Sequence, residues 1–327
     1  MPLLFITSLC VSLMAAVCVW GMGRKDPCGK PWLTGLCLGT LLLLPLLSLF
    51  PKIKVEVAQI APVKEVAASG WAIGEILAIV WGGVALMMLI RLCVSRMKLQ
   101  RWLSEAEAIE SEDLLSESAN LLGVKSLPQL KVKSGLTSPV VAGMWRPVIL
   151  LPETSETWSE ETRKMAILHE MGHVQRRDLW VRFAADVACA LHWYNPLVWW
   201  LRGKLLSQCE YACDALIISS GASKKCYITA LCDVVESALN EARPQGVLAM
   251  ADHAPLQLRV NRLLGGAKAS KPWVAITAAV LTVSSALGLS LVRPAAVVEV
   301  LASEKQKPVY TVEEIELRHS ANPFPGN

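Results

Sequence analysis

Apolar residues dominate four stretches of this chain: Leu3 to about Gly21, Trp32 to Phe50, Trp71 to Cys93 and Trp273 to Val292. Each approaches the roughly 20 residues of helix needed to cross the hydrocarbon core of a bilayer. The pattern therefore predicts four transmembrane helices, over residues 3–21, 32–50, 71–93 and 273–292. Three of the runs begin with Trp, whose amphipathic ring suits the headgroup region. The first run has no Lys or Arg ahead of it and is longer than the apolar core of a cleaved leader, so it reads as a retained span.

The chain then divides into three transmembrane helices over 1–95, a water-facing region over 96–265, a fourth transmembrane helix over 266–292 and a short extracytoplasmic tail over 293–327. Residues 51–70 read as a short external loop. Within the central region, Arg101 to Leu122 has the spacing of an amphipathic helix stopped by Gly123. Leu130–Lys133 alternates as a strand does, and Val140 to Leu151 reads as two strands around a turn. Pro147 cannot donate to a ladder, which puts one of these strands at an edge. Ser159 and Thr162 offer N-caps for a helix carrying Ala166 to Val174. The expected fold is a four-span α-helical membrane protein with an inserted, mainly helical α+β domain.

Composition agrees. Charged residues make up 18% of the chain, against about 25% in soluble proteins. The net charge of +4 comes without a basic stripe, which argues against direct nucleic-acid binding. Lys and Arg set the orientation. Arg24, Lys25, Lys30, Arg91, Arg96, Lys98, Arg101, Lys268 and Lys271 fall on one side, against Lys52, Lys54, Lys64, Arg293, Lys305 and Lys307 on the other. The bias places residues 96–265 in the cytoplasm. Cys189, Cys209, Cys213, Cys226 and Cys232 lie in that region, while residues 51–70 and the tail contain no cysteine, as a reducing interior would favour.

His169-Glu170-Met171-Gly172-His173 carries the candidate chemistry. On a helix, residues four apart share a face, so both imidazoles can reach one metal ion, and Glu170 stands ready to deprotonate a water held there. The bland alternative is a surface helix with two solvated imidazoles. A catalytic zinc needs a third protein ligand, and Glu210 is the candidate. Asp214, one turn on, can accept from the free nitrogen of a ligating histidine. Cys209 and Cys213 also lie four apart, but a closed His/Cys site would leave Glu170 without a role, so they read as buried thiols. Two imidazoles and a carboxylate favour zinc without excluding other divalent ions.

The quoted segments together resemble the BlaR/MecR antirepressor family of bacterial membrane zinc metallopeptidases. They are His169–Asp178 as H-E-x-x-H-x-x-x-x-D, the aromatic Asn-Pro segment Leu191–Trp199, Glu210–Asp214 as E-x-A-C-D, and the Gly143–Pro152 hairpin. The resemblance implies one zinc on His169, His173 and Glu210, with Glu170 as general base, in a protease domain facing the cytoplasm of a bacterial inner membrane. It implies regulatory cleavage of a protein substrate, either the chain itself or a cytoplasmic repressor. The sensor members acylate through S-x-x-K in a domain after the last span. Here about 35 residues follow Val292 without that motif, and Ser95–Lys98, the chain's one such spacing, reads as the flank of a span, so direct β-lactam sensing is not expected. A quality-control protease resembling the HtpX family and a non-catalytic sensor or scaffold are the alternatives. The oligomeric state is open.

Leu179 to Leu201 is apolar but holds Arg182, Asp186 and His192. One crossing here would separate Glu210 from His169, so the segment is expected to form two short helices lying against the membrane. Asn195-Pro196 would break them, with Trp193, Tyr194, Trp199 and Trp200 at the interface. His192 is a candidate oxyanion donor, against the blander reading of a satisfied histidine beside aromatics. Tyr211 and Tyr227 are weaker candidates, and Asp178 reads as a helix-end residue or a support for a ligand. Val140–Met144 or Val148–Leu151 offers an edge on which an extended peptide could pair.

Overall fold

The computed structural model describes residues 2–25, 31–47, 53–58, 73–109, 112–241, 256–265 and 272–297. Residues 298–327, most of the tail expected over 293–327, lie outside the described residues. The architecture is mainly helical with a small sheet, in two compact units.

In the larger unit, the apolar stretches form α1 (Pro2–Lys25), α2 (Pro31–Leu47), α3 (Ile73–Ser104) and α10 (Pro272–Leu291). Among the described residues α3 is long and apolar enough to cross a membrane, and Phe5–Gly21, Pro31–Leu46 and Ile276–Gly288 are shorter apolar helical stretches. Large apolar side chains face outward on all four, among them Leu13, Leu43, Leu86, Ile90 and Leu281. A belt of that extent suits lipid rather than water.

The expected helix over Arg101–Leu122 is not continuous. Its start is the last turn of α3, β2 (Glu107–Ala108) intervenes, and α4 (Glu112–Leu122) ends at Gly123, whose φ of +67° suits glycine. β3 (Gln129–Lys133), β4 (Val140–Ala142) and β5 (Val148–Pro152) complete a sheet of order β2-β3-β5-β4. β3 and β5 are parallel, β4 pairs antiparallel to β5, and β4 is an edge. Pro147 sits in the turn ahead of β5, and Pro152 ends that strand. Every residue of β5 is buried because both faces are covered. Ile149 and Leu151 pack with α4 and the helix that follows, and Val148 and Leu150 pack with Leu103 and Ala106 at the end of α3.

That following helix, α5 (Glu160–Arg176), starts where Ser159 Oγ accepts from the Thr162 amide. Next come α6 (Asp178–Leu191), α7 (Pro196–Ser219), α8 (Lys224–Glu241) and α9 (Leu256–Gly265). Here the structure departs from two helices lying on a membrane. α6 and the first half of α7 form a hairpin, with α6 packed against α2 and α3 and α7 against α1 and α2. Ala185, Ala188, Cys189, Val198, Leu201 and Leu205 share one core with Val11, Leu38, Leu41 and Ala279. The segment turns back within the bundle, which keeps both of its ends on one side. Asp186, bonded by Arg202 and Arg96, marks the charged level of the hairpin.

The smaller unit contains a parallel pair of strands, β1 (Ile53–Ala58) and β6 (Val292–Val297), with Ile53 opposite Val292 and Ala58 opposite Val297. Strand pairing thus takes the place of irregular chain within the expected loop over 51–70 and at the junction of the fourth expected span with the tail.

Candidate metal centre

α5 presents His169 and His173 on one face, with ring centroids 4.8 Å apart and planes at 84°. Both are buried, as is Glu170. α7 crosses α5 and brings Glu210 to the pair. Its Oε2 is 3.3 Å from His169 Nε2, and its Oε1 is 3.5 Å from His173 Nε2. Ligands about 2.0–2.1 Å from a tetrahedral ion stand about 3.4 Å from one another, so these three side chains have the spacing of a zinc donor set.

The close crossing depends on Gly172. A Cβ there would lie 2.5 Å from Cys213 Sγ on α7. Cys213 is itself near both imidazoles, its sulfur within 4.8 Å of their ligand nitrogens. The chemistry nevertheless favours Glu210. Burial, then the charges of Glu210 and Asp214, hold the Cys213 thiol well above its usual pKa. The thiol donates to the His169 carbonyl at 3.1 Å. It is engaged with the α5 backbone as S–H, and a metal ligand must be thiolate.

The far nitrogens of both rings are held. Asp178 Oδ2 accepts from His173 Nδ1 at 2.8 Å. This contact exists because Arg177 adopts φ 57°, ψ 35°, the one non-glycine residue with positive φ among the described residues. Such a conformation costs roughly 1 kcal/mol or more. Here it separates α5 from α6 and turns Asp178 back onto the histidine.

His169 Nδ1 is 2.8 Å from Tyr227 Oη on α8, and Tyr227 donates to Asp214 Oδ1 at 2.7 Å. Burial and the Asp214 charge hold the phenol well above its ordinary pKa. Its proton therefore points to the carboxylate, and its oxygen accepts from His169 Nδ1–H. With both Nδ1 atoms engaged as donors, each imidazole in its neutral form would carry its lone pair on Nε2, the atom nearest Glu210 and the one a metal requires. The expected direct bond from Asp214 to His169 is instead relayed through Tyr227, with Asp214 Oδ1 at 3.7 Å from Nδ1.

Three guanidiniums complete the surroundings. Arg259 on α9 grips Asp214 with two nitrogens, at 2.6 and 3.0 Å, and sits 3.4 Å from His169 Nε2. Arg182 donates to Glu210 Oε1 at 2.7 Å, and Arg176 to Asp178 at 3.2 Å. Burial alone would make ionised Glu210 costly, but hydrogen bonds from His169 and His173 hold its pKa well below normal. Burial likewise opposes charge on His173, yet its bonds to Asp178 and Glu210 prevail and raise it to about 9. A proton thus takes the position that a cation would fill.

His169, Glu170, His173, Asp178, Glu210 and Asp214 are therefore gathered in one place. His192 is not. It lies 14 residues beyond Asp178, about 21 Å along α6, where its ring nitrogens bond the Leu41 carbonyl at 2.8 Å and Ser8 Oγ at 2.9 Å. Its candidate role as an oxyanion donor is corrected accordingly. Arg259 was not anticipated from the sequence. It belongs to a short polar helix after residues 242–255, and no spacing ties it to the motif.

A family model described as BlaR1 peptidase M56 matches residues 45–263, about two thirds of the chain. The chain is 28% identical over 141 residues to "Regulatory protein BlaR1" of Bacillus licheniformis, an alignment covering 42% of this chain and 23% of the relative. It is 28% identical over 90 residues to the "Methicillin resistance mecR1 protein" of Staphylococcus aureus, and equally to that of Staphylococcus epidermidis, covering 27% of this chain and 15% of each relative. The chain thus matches less than a quarter of the length of these curated relatives. The family match encloses the H-E-x-x-H helix, the hairpin, Glu210 and Arg259, and on that extent this chain belongs to the BlaR1 peptidase M56 family.

Proposed function

We propose that this chain is a membrane-embedded zinc metalloendopeptidase that cuts a selected protein in bacterial signal transduction. The observation carrying this reading is the meeting of two imidazoles, each held at Nδ1, on one buried carboxylate, at 3.3 and 3.5 Å. Zinc on His169, His173 and Glu210 would supply Lewis acidity and an acidified water. Glu170 takes the proton of the attacking water and returns it to the nitrogen of the leaving amine. Asp178 and Tyr227 keep the two Nδ1–H groups engaged throughout, and Arg182 orients Glu210. The edge strand β4, packed beside α5, would pair with an extended substrate backbone.

The outward apolar belt on α1, α2, α3 and α10 supports four spans, and the Lys/Arg bias supports a cytoplasmic catalytic region. Similarity to regulatory relatives makes a cytoplasmic repressor, or the chain itself, the favoured class of substrate. The test compares new protein N-termini in bacterial cells making the wild type or Glu170→Gln at equal level and zinc content. One or a few termini confined to the wild type are expected. Many scattered termini would replace the regulatory reading with quality control, and no difference would refute turnover under those conditions.

A further inference from the structure

The tip of the α6–α7 hairpin holds a polar cluster that the chemistry above does not use. His192 and Asn195 are both 0% exposed, surrounded by the apolar core of the bundle. The reason lies in α2. Pro45 stands within that helix and has no N–H for the carbonyl of Leu41, four residues earlier. His192 Nε2–H supplies that donor at 2.8 Å. With the proton so placed, Nδ1 is an acceptor and takes the hydroxyl of Ser8 on α1 at 2.9 Å. Asn195 Nδ2 donates to Ser12 Oγ at 2.9 Å and Ser8 Oγ at 3.2 Å, while its Oδ1 caps α7 at the Leu197 amide, 3.1 Å away. In an apolar interior such bonds are costly to break, because water cannot replace them.

The hairpin's two arms are of matched length. Asp178 and Glu210 lie 14 residues before His192 and 15 after Asn195, so both stand about 21–23 Å from the tip. Resting on the metallopeptidase reading, we propose that His192 is a positioning residue. With Asn195 it fastens the hairpin tip to α1 and α2, and through the two rigid arms it sets where Glu210 stands over His169 and His173. Displacement of α1 and α2 relative to each other would then shift a metal ligand at the far end.

The test uses the full chain in lipid nanodiscs as wild type, His192→Leu, Pro45→Ala and the double variant, with His192→Gln and Ser8→Ala alongside. Zinc affinity is read by chelator competition, and the geometry at the ion by the visible spectrum of the cobalt-loaded protein. His192→Leu should weaken zinc binding at least about tenfold and alter the cobalt spectrum, acting through the supports of the ligands. Pro45→Ala restores an N–H to Leu41 and should reduce that loss to about threefold. Gln, whose amide can donate and accept, should stay within about threefold of wild type, and Ser8→Ala should fall between. Unchanged affinity in His192→Leu, or a loss that Pro45→Ala leaves undiminished, overturns the proposal. If His192→Leu does not accumulate, Ser8→Ala and His192→Gln decide by the same order. If the wild type takes up no zinc, the metallopeptidase reading falls by itself. The lock is then judged from thermal unfolding of the same variants, where additive effects of the Pro45 and His192 changes would overturn it.

Discussion

Replacing Tyr227 by Phe removes one oxygen from the metal centre and little else. The phenol oxygen is 2.8 Å from His169 Nδ1, and its proton goes to Asp214 at 2.7 Å. Asp214 loses one donor but keeps the bidentate grip of Arg259, so no carboxylate is left without a partner. His169 loses the acceptor for its Nδ1–H, and an unsatisfied buried donor costs about 1–3 kcal/mol. Asp214 Oδ1 is 3.7 Å away and can recover part of this by a small shift, which favours the lower half of that range. The tautomer offering Nε2 to the ion is therefore disfavoured by about 1–2 kcal/mol, or roughly 5- to 30-fold in zinc affinity. Loss of such supports typically costs 10- to 100-fold. Chelator competition on purified Tyr227→Phe measures this directly, with circular dichroism as the check on folding. A folded variant with wild-type zinc affinity would refute the assignment of His169's tautomer to Tyr227.

Two further outcomes follow from the same geometry. Gly172→Ala should destabilise the fold by about 1–3 kcal/mol, because its Cβ meets the Cys213 sulfur at 2.5 Å; thermal unfolding should show the loss largely relieved by Cys213→Ala. In metal-stripped protein the raised pKa of His173, about 9 against 6.5 for a free histidine, stabilises the fold fully below about pH 6.5. That contribution disappears as pH rises through about 9, so the melting temperature of stripped protein should fall across that interval. The zinc-loaded protein, which has no proton there to lose, should not show this fall.

The helical character and the small sheet were legible because apolar runs and period-two alternation are local signals. Ser159, Gly123 and the strands at Val140 and Val148 punctuate the chain through their own chemistry. What escaped was set by distant partners. The hairpin of α6 and α7 reads locally as amphipathic helix at a surface, and only α1, α2 and α3 make it a buried one. β1 alternates Ile53, Val55 and Val57 with Lys54 and Glu56, but its parallel partner begins at Val292, and no local pattern announces that pairing. The same holds at the metal centre. H-E-x-x-H is a spacing within one helix and can be read, whereas Tyr227 and Arg259 arrive from other helices and carry no motif. His192 lies within the recognisable aromatic Asn-Pro segment, yet its use depends on a proline in α2 some 150 positions earlier.

The central claim is that a zinc ion is held by two imidazoles and the Glu210 carboxylate. X-ray absorption at the zinc edge of the purified, zinc-loaded full chain tests it most directly. The account predicts only nitrogen and oxygen scatterers at about 2.0–2.2 Å, with the imidazole signature of two histidines, and loss of the ordered site in Glu210→Ala. A sulfur scatterer at about 2.3 Å would make Cys213 the ligand in place of Glu210 and contradict the account.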